Sequence, residues 1–233
     1  MMQTQLSPHW RSAPYAKVTN ITALGSAIAL AILLSTSASA TVIVSQSFEV
    51  PALSAPAVQY SADELGFNSN AVGPASAPGF TFSGYSGIIT NGFNGIFANT
   101  TFGTQAAFLQ GFHGVGSQIN WTVSGLTVGN QYALSFASAG SLIEPAETFG
   151  VSVFGSALTS FTPSSAYTNN VILFTASASL GTINFIGSAI PGNSISALDN
   201  LAISTVPEPA TLALFGAGLA GLGALRRRRK AKV

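Results

Sequence analysis

The chain has no cysteine among its 233 residues, which removes disulfides, thiol nucleophiles and thiolate metal sites together. Fixed positive charge is missing almost as completely, since neither lysine nor arginine occurs between Val18 and Leu225. Over that stretch Glu49, Asp63, Glu64, Glu144, Glu147 and Asp199 are acidic. A body of that sign cannot neutralise phosphates, so nucleic acid is excluded as its partner. The formal net charge of +1 hides this, because every cation sits near an end. Histidine is scarce too. His113 is the only one in the body, flanked by Gly111, Phe112 and Gly114 with no Gly-x-Ser-x-Gly elbow beside it, so a catalytic triad has no support. A metal site built on one histidine and no cysteine would need carboxylates from distant parts of the chain. No segment repeats at a fixed period, which argues against a solenoid or propeller.

What is present begins with two apolar runs. Arg11 and Lys17 precede the uncharged run Ile21 to Leu34, followed by the small residues Ser35 to Ala40. This is the pattern of a secretory signal peptide. Ala38 and Ala40 offer the small side chains that a signal peptidase requires, which predicts cleavage after Ala40. The other reading is an uncleaved anchor helix, but a run of about 14 residues is short for a span.

Near the other end, Val206-Pro207-Glu208-Pro209 is followed by an apolar segment from Ala210 to Leu225, then by Arg226, Arg227, Arg228, Arg229 and Lys230. Such a basic cluster stops translocation with its charges on the cytoplasmic side of the membrane. About 16 helical residues reach about 24 Å, less than the roughly 30 Å hydrocarbon core, so this short transmembrane helix spans only by snorkelling or local thinning. Pro207 and Pro209 hold the preceding residues extended, leaving a strip that a protease could grip. A plain membrane anchor is the competing reading. The three parts in this order resemble the PEP-CTERM sorting signal. The resemblance implies a Gram-negative bacterium whose inner-membrane exosortase recognises Val206, Pro207, Glu208 and Pro209 and delivers the body to the cell surface or the exterior. The chain then divides into a signal peptide (1–40), a body (41–205) and a sorting tail (206–233).

The body, roughly 165 residues, has the length of one domain. Its alternating apolar runs, separated by glycine, proline, serine and asparagine, predict strands. They lie at Val42 to Phe48, Phe80 to Phe82, Gly87 to Ile89, Ala106 to Gln110, Gln118 to Val123, Gln131 to Phe136, Phe149 to Phe154, Val171 to Thr175, Thr182 to Ile186 and Ser196 to Ile203. Ile119, Trp121 and Val123 share one face, as do Tyr132, Leu134 and Phe136, and Phe149, Val151 and Val153. Gly125 to Asn130 reads as a hairpin connection between adjacent antiparallel strands, and Leu53 to Gly79 as a long irregular loop over a sheet edge. The expected fold is all-β, a two-sheet antiparallel sandwich of jelly-roll type.

Four short pieces extend this. Ser47-Phe48-Glu49, Gly103-Thr104-Gln105, Gly125-Leu126-Thr127 with Tyr132, and Ala197-Leu198-Asp199-Asn200 occur in that order. Together they resemble the galactose-binding-like jelly rolls of carbohydrate-binding modules. The resemblance implies that Glu49 and Asp199 can meet and hold a structural calcium ion, which takes six to eight oxygens. The simpler reading leaves both carboxylates solvated at strand ends. Sugar recognition needs an aromatic face and amide or carboxylate groups. Tyr60, Tyr85, Phe93, Phe97, Phe112 and Tyr167, with Asn91, Asn94, Asn99, Gln105 and Asn169, supply the material, though each one singly reads first as a core or turn residue. Glu144 and Glu147, or Asp63 and Glu64, are the only acidic pairs for a two-carboxylate glycosidase. The sequence therefore predicts an exported, non-catalytic surface or matrix protein that binds an extracellular polysaccharide. A purely structural surface or biofilm component is the alternative, and a hydrolase a more distant one. Mass spectrometry of the protein from its host is expected to show a mature chain that begins at Thr41 and lacks Arg226 to Val233.

Overall fold

Period-two burial drives the chain into strands, and in the computed structural model it does so through thirteen of them among the described residues. The structure describes residues 39–54, 57–61, 71–189, 192–207, 215–216 and 218–223. Ala38, Glu208, Pro209 and the basic run Arg226 to Lys230 lie outside the described residues, as do Asp63 and Glu64. Residues 215–216 and 218–223 are helical, and among the described residues no helix is long and apolar enough to cross a membrane. Half of the apolar segment expected to do so lies outside them.

Ser39–Pro207 forms one compact unit. Its strands are β1 (Val42–Gln46), β2 (Val58–Tyr60), β3 (Ala71–Pro74), β4 (Phe80–Gly84), β5 (Ser86–Thr90), β6 (Gln105–Phe112), β7 (Ser117–Ser124), β8 (Gln131–Gly140), β9 (Phe149–Val153), β10 (Thr159–Phe161), β11 (Thr168–Thr175), β12 (Leu180–Gly187) and β13 (Asn193–Thr205). An eight-stranded sheet runs β11-β8-β13-β6-β5-β2-β3, with β1 also paired to β13, and a five-stranded sheet runs β10-β9-β12-β7-β4. All pairs are antiparallel except β2 with β3. This is the two-sheet sandwich the sequence predicts.

The core lies between the sheets. Ile119, Trp121 and Val123 from β7, Phe149, Val151 and Val153 from β9, and Ile183 and Phe185 from β12 meet Leu134, Phe136, Leu198, Leu201 and Ile203 from the larger sheet. All three faces assigned by alternation point inward. Phe136 sits at an aromatic junction, its ring centroid 5.1 Å from Phe161, 5.5 Å from Phe185 and 6.2 Å from Phe149. Trp121 stacks on Phe80 at 5.4 Å.

Two expectations are corrected. The connection Gly125 to Asn130 is not a hairpin, because β7 belongs to the five-stranded sheet and β8 to the eight-stranded one. It carries the chain across the sandwich. Both glycines adopt positive φ, at 84° and 86°, but Leu126 plugs the core and the Tyr132 hydroxyl accepts the Thr127 N–H at 2.9 Å. Alternation assigns a face to each strand and cannot say whether two neighbours share a sheet. The second correction concerns Leu53 to Gly79, which contains β2 and β3 at the edge of the larger sheet instead of being wholly irregular. β10 is likewise absent from the sequence reading, being too short to show a period.

The Phe136→Ala variant is expected to lose about 3–5 kcal/mol of unfolding free energy, since truncating a packed phenylalanine leaves a cavity. Chemical denaturation measures this, with exposed Leu180→Ala, expected within about 0.5 kcal/mol of wild type, as control.

Candidate functional site

The outer face of the eight-stranded sheet carries the polar and aromatic groups that the sequence singles out. Its middle is apolar. Val58, Tyr60, Ile89, Phe108 and Ile195 project there, beneath Phe93, Ile96 and Phe97, whose loop folds over the sheet through a short 3-10 turn at Phe93–Gly95. A different set of groups stands at each end of this covered strip.

At one end Asp199 is fully buried. The register of β13 against β8 shifts between Asp199 and Ala202, with Asn200 at a φ of 50°. This irregularity lets Leu198 and Leu201 both face the core while Asp199 faces outward. Thr100 Oγ1 donates to Asp199 Oδ2 at 2.5 Å and the Asn200 N–H donates to Oδ1 at 2.6 Å. Glu49 lies nearby. Its carboxylate accepts the N–H groups of Thr104 and Gln105, each at 3.0 Å, and the Thr104 hydroxyl at 2.7 Å. A Cβ at Gly103 would fall 2.1 Å from Glu49 Oε1, so glycine there is a steric requirement of the contact.

Burial pushes the Asp199 carboxyl up to about 6; the Thr100 and Asn200 bonds oppose this, and the neighbouring Glu49 charge reinforces it. Burial, then the Asp199 charge, also push the Tyr167 phenol upward. The reading of Asp199 as a solvated strand-end residue is therefore wrong. Two carboxylates share this corner, and no lysine or arginine exists in the body to compensate them. Among the described residues no three acidic or histidine side chains converge, so a cation here would draw its remaining oxygens from hydroxyls, carbonyls and water. The donor set suits a hard divalent ion. Thr90, Asn91, Phe97 and Tyr167 line a cavity of about 10 Å³ beside it, room for about one water and not for a sugar ring.

The other end joins amides to aromatic rings. The Tyr60 hydroxyl donates to Gln110 Oε1 at 3.2 Å, and Gln110 Nε2 donates to Asn193 Oδ1 at 2.7 Å, which links β2, β6 and β13 in one polar row. Beside it Tyr85 meets Phe112 edge-on at 5.4 Å, and Phe112 stacks on His113 at 3.9 Å. Tyr85 and Phe112 are half-buried and His113 is exposed. Tyr60, Tyr85, Phe112 and His113 are thus brought together, while Phe93, Phe97 and Tyr167 belong to the covered strip and its far end. Gln105 is structural: it accepts the Leu53 N–H at 2.9 Å and donates to the carbonyls of Phe48 and Pro51. Asn169 lies on β11 at the Asp199 end, in one row with Asp199 through Ala137 of β8. Sequence reading missed Thr100, Gln110 and Asn193, and only the outward parity of Gln110 on β6 hinted at any of them.

The acidic candidates for catalysis separate. Glu147 is fully buried where the ends of β6, β12 and β13 converge. It accepts the Gly111 N–H at 3.1 Å and short bonds from the Ser188 N–H and the Ser194 hydroxyl. Burial raises its pKa despite these donors. A Cβ on Gly111 would lie 2.6 Å from Glu147 Oε2, so the site is closed by design of the backbone around it. Glu147 is sealed from solvent while Glu144 is half-buried in the loop before it.

A two-sheet β-sandwich with a modified outer face is the class of protein this defines. Within the chain, residues 205–229 match the PEP-CTERM protein-sorting motif, and the chain carries that motif. No curated protein matches the chain in sequence. Among solved structures, the chain is similar to the CBM22-1 xylan-binding domain of Paenibacillus barcinonensis Xyn10C (9% identity, 73% of this chain and 98% of that one, TM-score 0.44). It is also similar to TmCBM61 in complex with β-1,4-galactotriose (14%, 57% and 91%, TM-score 0.41) and to a CBM35 from Paenibacillus barcinonensis (16%, 55% and 94%, TM-score 0.39).

The Asp199 shift sets a pH dependence. Its folded pKa of about 6 exceeds the unfolded value of about 3.9, so the folded state holds the proton more tightly. Its contribution is complete below about pH 4 and is lost as pH rises through about 6. In calcium-free buffer, unfolding free energy is expected to fall over that window, by at most about 3 kcal/mol from this group. Glu147 adds a slope of the same sign. Asp199→Asn should flatten the Asp199 part, as read by denaturation across pH.

Proposed function

We propose that this is an exported bacterial protein, sorted and processed by an exosortase in the inner membrane of a Gram-negative cell. In this reading its β-sandwich is a non-catalytic module that binds a polysaccharide at the cell surface or outside it. The sorting motif at 205–229 supports the export half. For the binding half the carrying observation is the row of Tyr60, Gln110 and Asn193 beside Tyr85, Phe112 and His113. Amides fix hydroxyl orientation and aromatic rings cover the apolar face of a pyranose. The body has no fixed cation, so the glycan it accepts is neutral and not uronic, sulfated or phosphorylated.

Calcium belongs to the same reading. Glu49 and Asp199 would hold the ion at the opposite end of the face, joining the start of the body to its last strand. Its charge would keep both carboxylates ionised and tie down the loop bearing Thr100 to Thr104.

A glycan array probed with the processed protein, with and without calcium, tests both. Binding to neutral polysaccharides is expected, weakened at least about tenfold in Phe112→Ala and His113→Ala, a loss typical of a removed stacking contact. Calcium is expected to raise the melting temperature of wild type and not of Asp199→Asn. Failure to bind any glycan in either condition would favour a purely structural surface component. An unchanged melting temperature would remove the ion.

A further inference from the structure

Sheet edges are usually guarded against pairing with other chains by shortness, charge, proline or bulges. Most edges of this sandwich show such a guard. β10 is three residues long, β3 has four and ends at Pro74, β1 carries a register shift between Val42 and Val44, and β4 is five residues ending at Gly84 with a φ of 59°. β11 has none of these. It is eight residues, Thr168–Thr175, without charge or proline, paired in unbroken register with β8 from Thr168↔Ser138 to Thr175↔Gln131. It ends the eight-stranded sheet, and among the described residues no strand pairs with its other side.

The free side has a defined pattern. The Ala176 N–H donates to the Asn130 carbonyl at 3.0 Å, which fixes the phase of the ladder. Asn170, Ile172 and Phe174 turn their backbone groups toward β8, and Asn169, Val171, Leu173 and Thr175 turn theirs to the open edge. On the outer face Val171 and Leu173 are each 60% exposed.

We propose that β11 is a self-association edge, pairing antiparallel with β11 of a second copy about a two-fold axis through Ile172. Only this kind of register sets Val171 against Leu173 and Asn169 against Thr175, so that every outward N–H and C=O meets its complement. Val171 and Leu173 of the two copies then form one aliphatic patch across the seam, and each Ile172 meets its own image. The occupant is a second copy because the strand is complementary to itself under that axis. Charge agrees. The acidic bodies repel one another generally, but neither β11 nor its neighbour β8 carries a charged residue, so copies can approach along this edge without opposing fields.

One strand pair buries less than the roughly 1,000 Å² of a stable free interface. The contact is therefore weak in dilute solution and gains strength where copies are held together at a common surface. It is independent of glycan binding, and its failure would leave that reading intact.

The absence of cysteine makes a clean test. In cells producing the full-length chain, Ile172→Cys under mild oxidation is expected to give a reducible dimer, because a non-hydrogen-bonded antiparallel pair sets its Cα atoms about 4.5 Å apart, within disulfide range. Leu180→Cys, on β12 and more exposed than the half-buried Ile172, should nonetheless give about a tenth as much or less. Adding Val171→Lys and Leu173→Lys to Ile172→Cys should cut the dimer about tenfold by like-charge opposition while leaving the melting temperature unchanged. Should Ile172→Cys not fold, co-expressed Val171→Cys and Leu173→Cys chains replace it, and their cross-linked heterodimer is the readout. Equal cross-linking at 172 and 180, no dimer at the edge positions, or indifference to the lysines would overturn the pairing.

Discussion

Everything in this body depends on the packing of two inward-facing sheet surfaces against each other. With no cysteine and no cation between Val18 and Leu225, neither disulfides nor ion pairs within the body can hold the strands, so buried apolar surface must do it. Aromatic residues concentrate that burial. Phe136 joins β8 to β9, β10 and β12 through Phe149, Phe161 and Phe185, and Trp121 with Phe80 closes the other side of the smaller sheet. Each such pair adds a specific geometry to the area it buries, which fixes how the sheets sit. The outer face inherits its positions from that arrangement.

The same shortage of cations explains how the buried acids are treated. Asp199 and Glu147 are both fully buried, and each is met by hydroxyl and backbone N–H donors instead of a basic side chain. Donors of this kind lower a carboxylate's pKa, but here burial outweighs them. The two acids nonetheless differ in purpose. Glu147 is sealed where glycines leave room for it and seals an end of the sandwich, whereas Asp199 has a second carboxylate beside it and oxygen groups around it. One is a closed structural contact and the other is a pair of neighbouring carboxylates without a basic partner.

Function follows from where the polar groups were left. The outer face of the larger sheet is covered in the middle by the loop bearing Phe93 and Phe97, which leaves Tyr85, Phe112 and His113 grouped at one end and Asp199 near Glu49 at the other.

The long strands were legible in the sequence because alternation of burial is a local property: Ile119-Trp121-Val123 or Tyr132-Leu134-Phe136 names its own buried face. The sorting segment was legible for a similar reason, since charge and apolar length act along the chain. β2, β3 and β10 were not, because three or four residues cannot display a period. The crossing of Gly125 to Asn130 between sheets was hidden because alternation is identical within a sheet and across a sandwich. The pairing of Glu49 with Asp199 was suggested by resemblance, but the burial of Asp199, its bond to Thr100 and the row from Tyr60 through Gln110 to Asn193 were decided only by tertiary structure. These groups come from strands far apart in sequence, and what sets their distances is the stacking order of the sheets, a quantity that no single segment encodes.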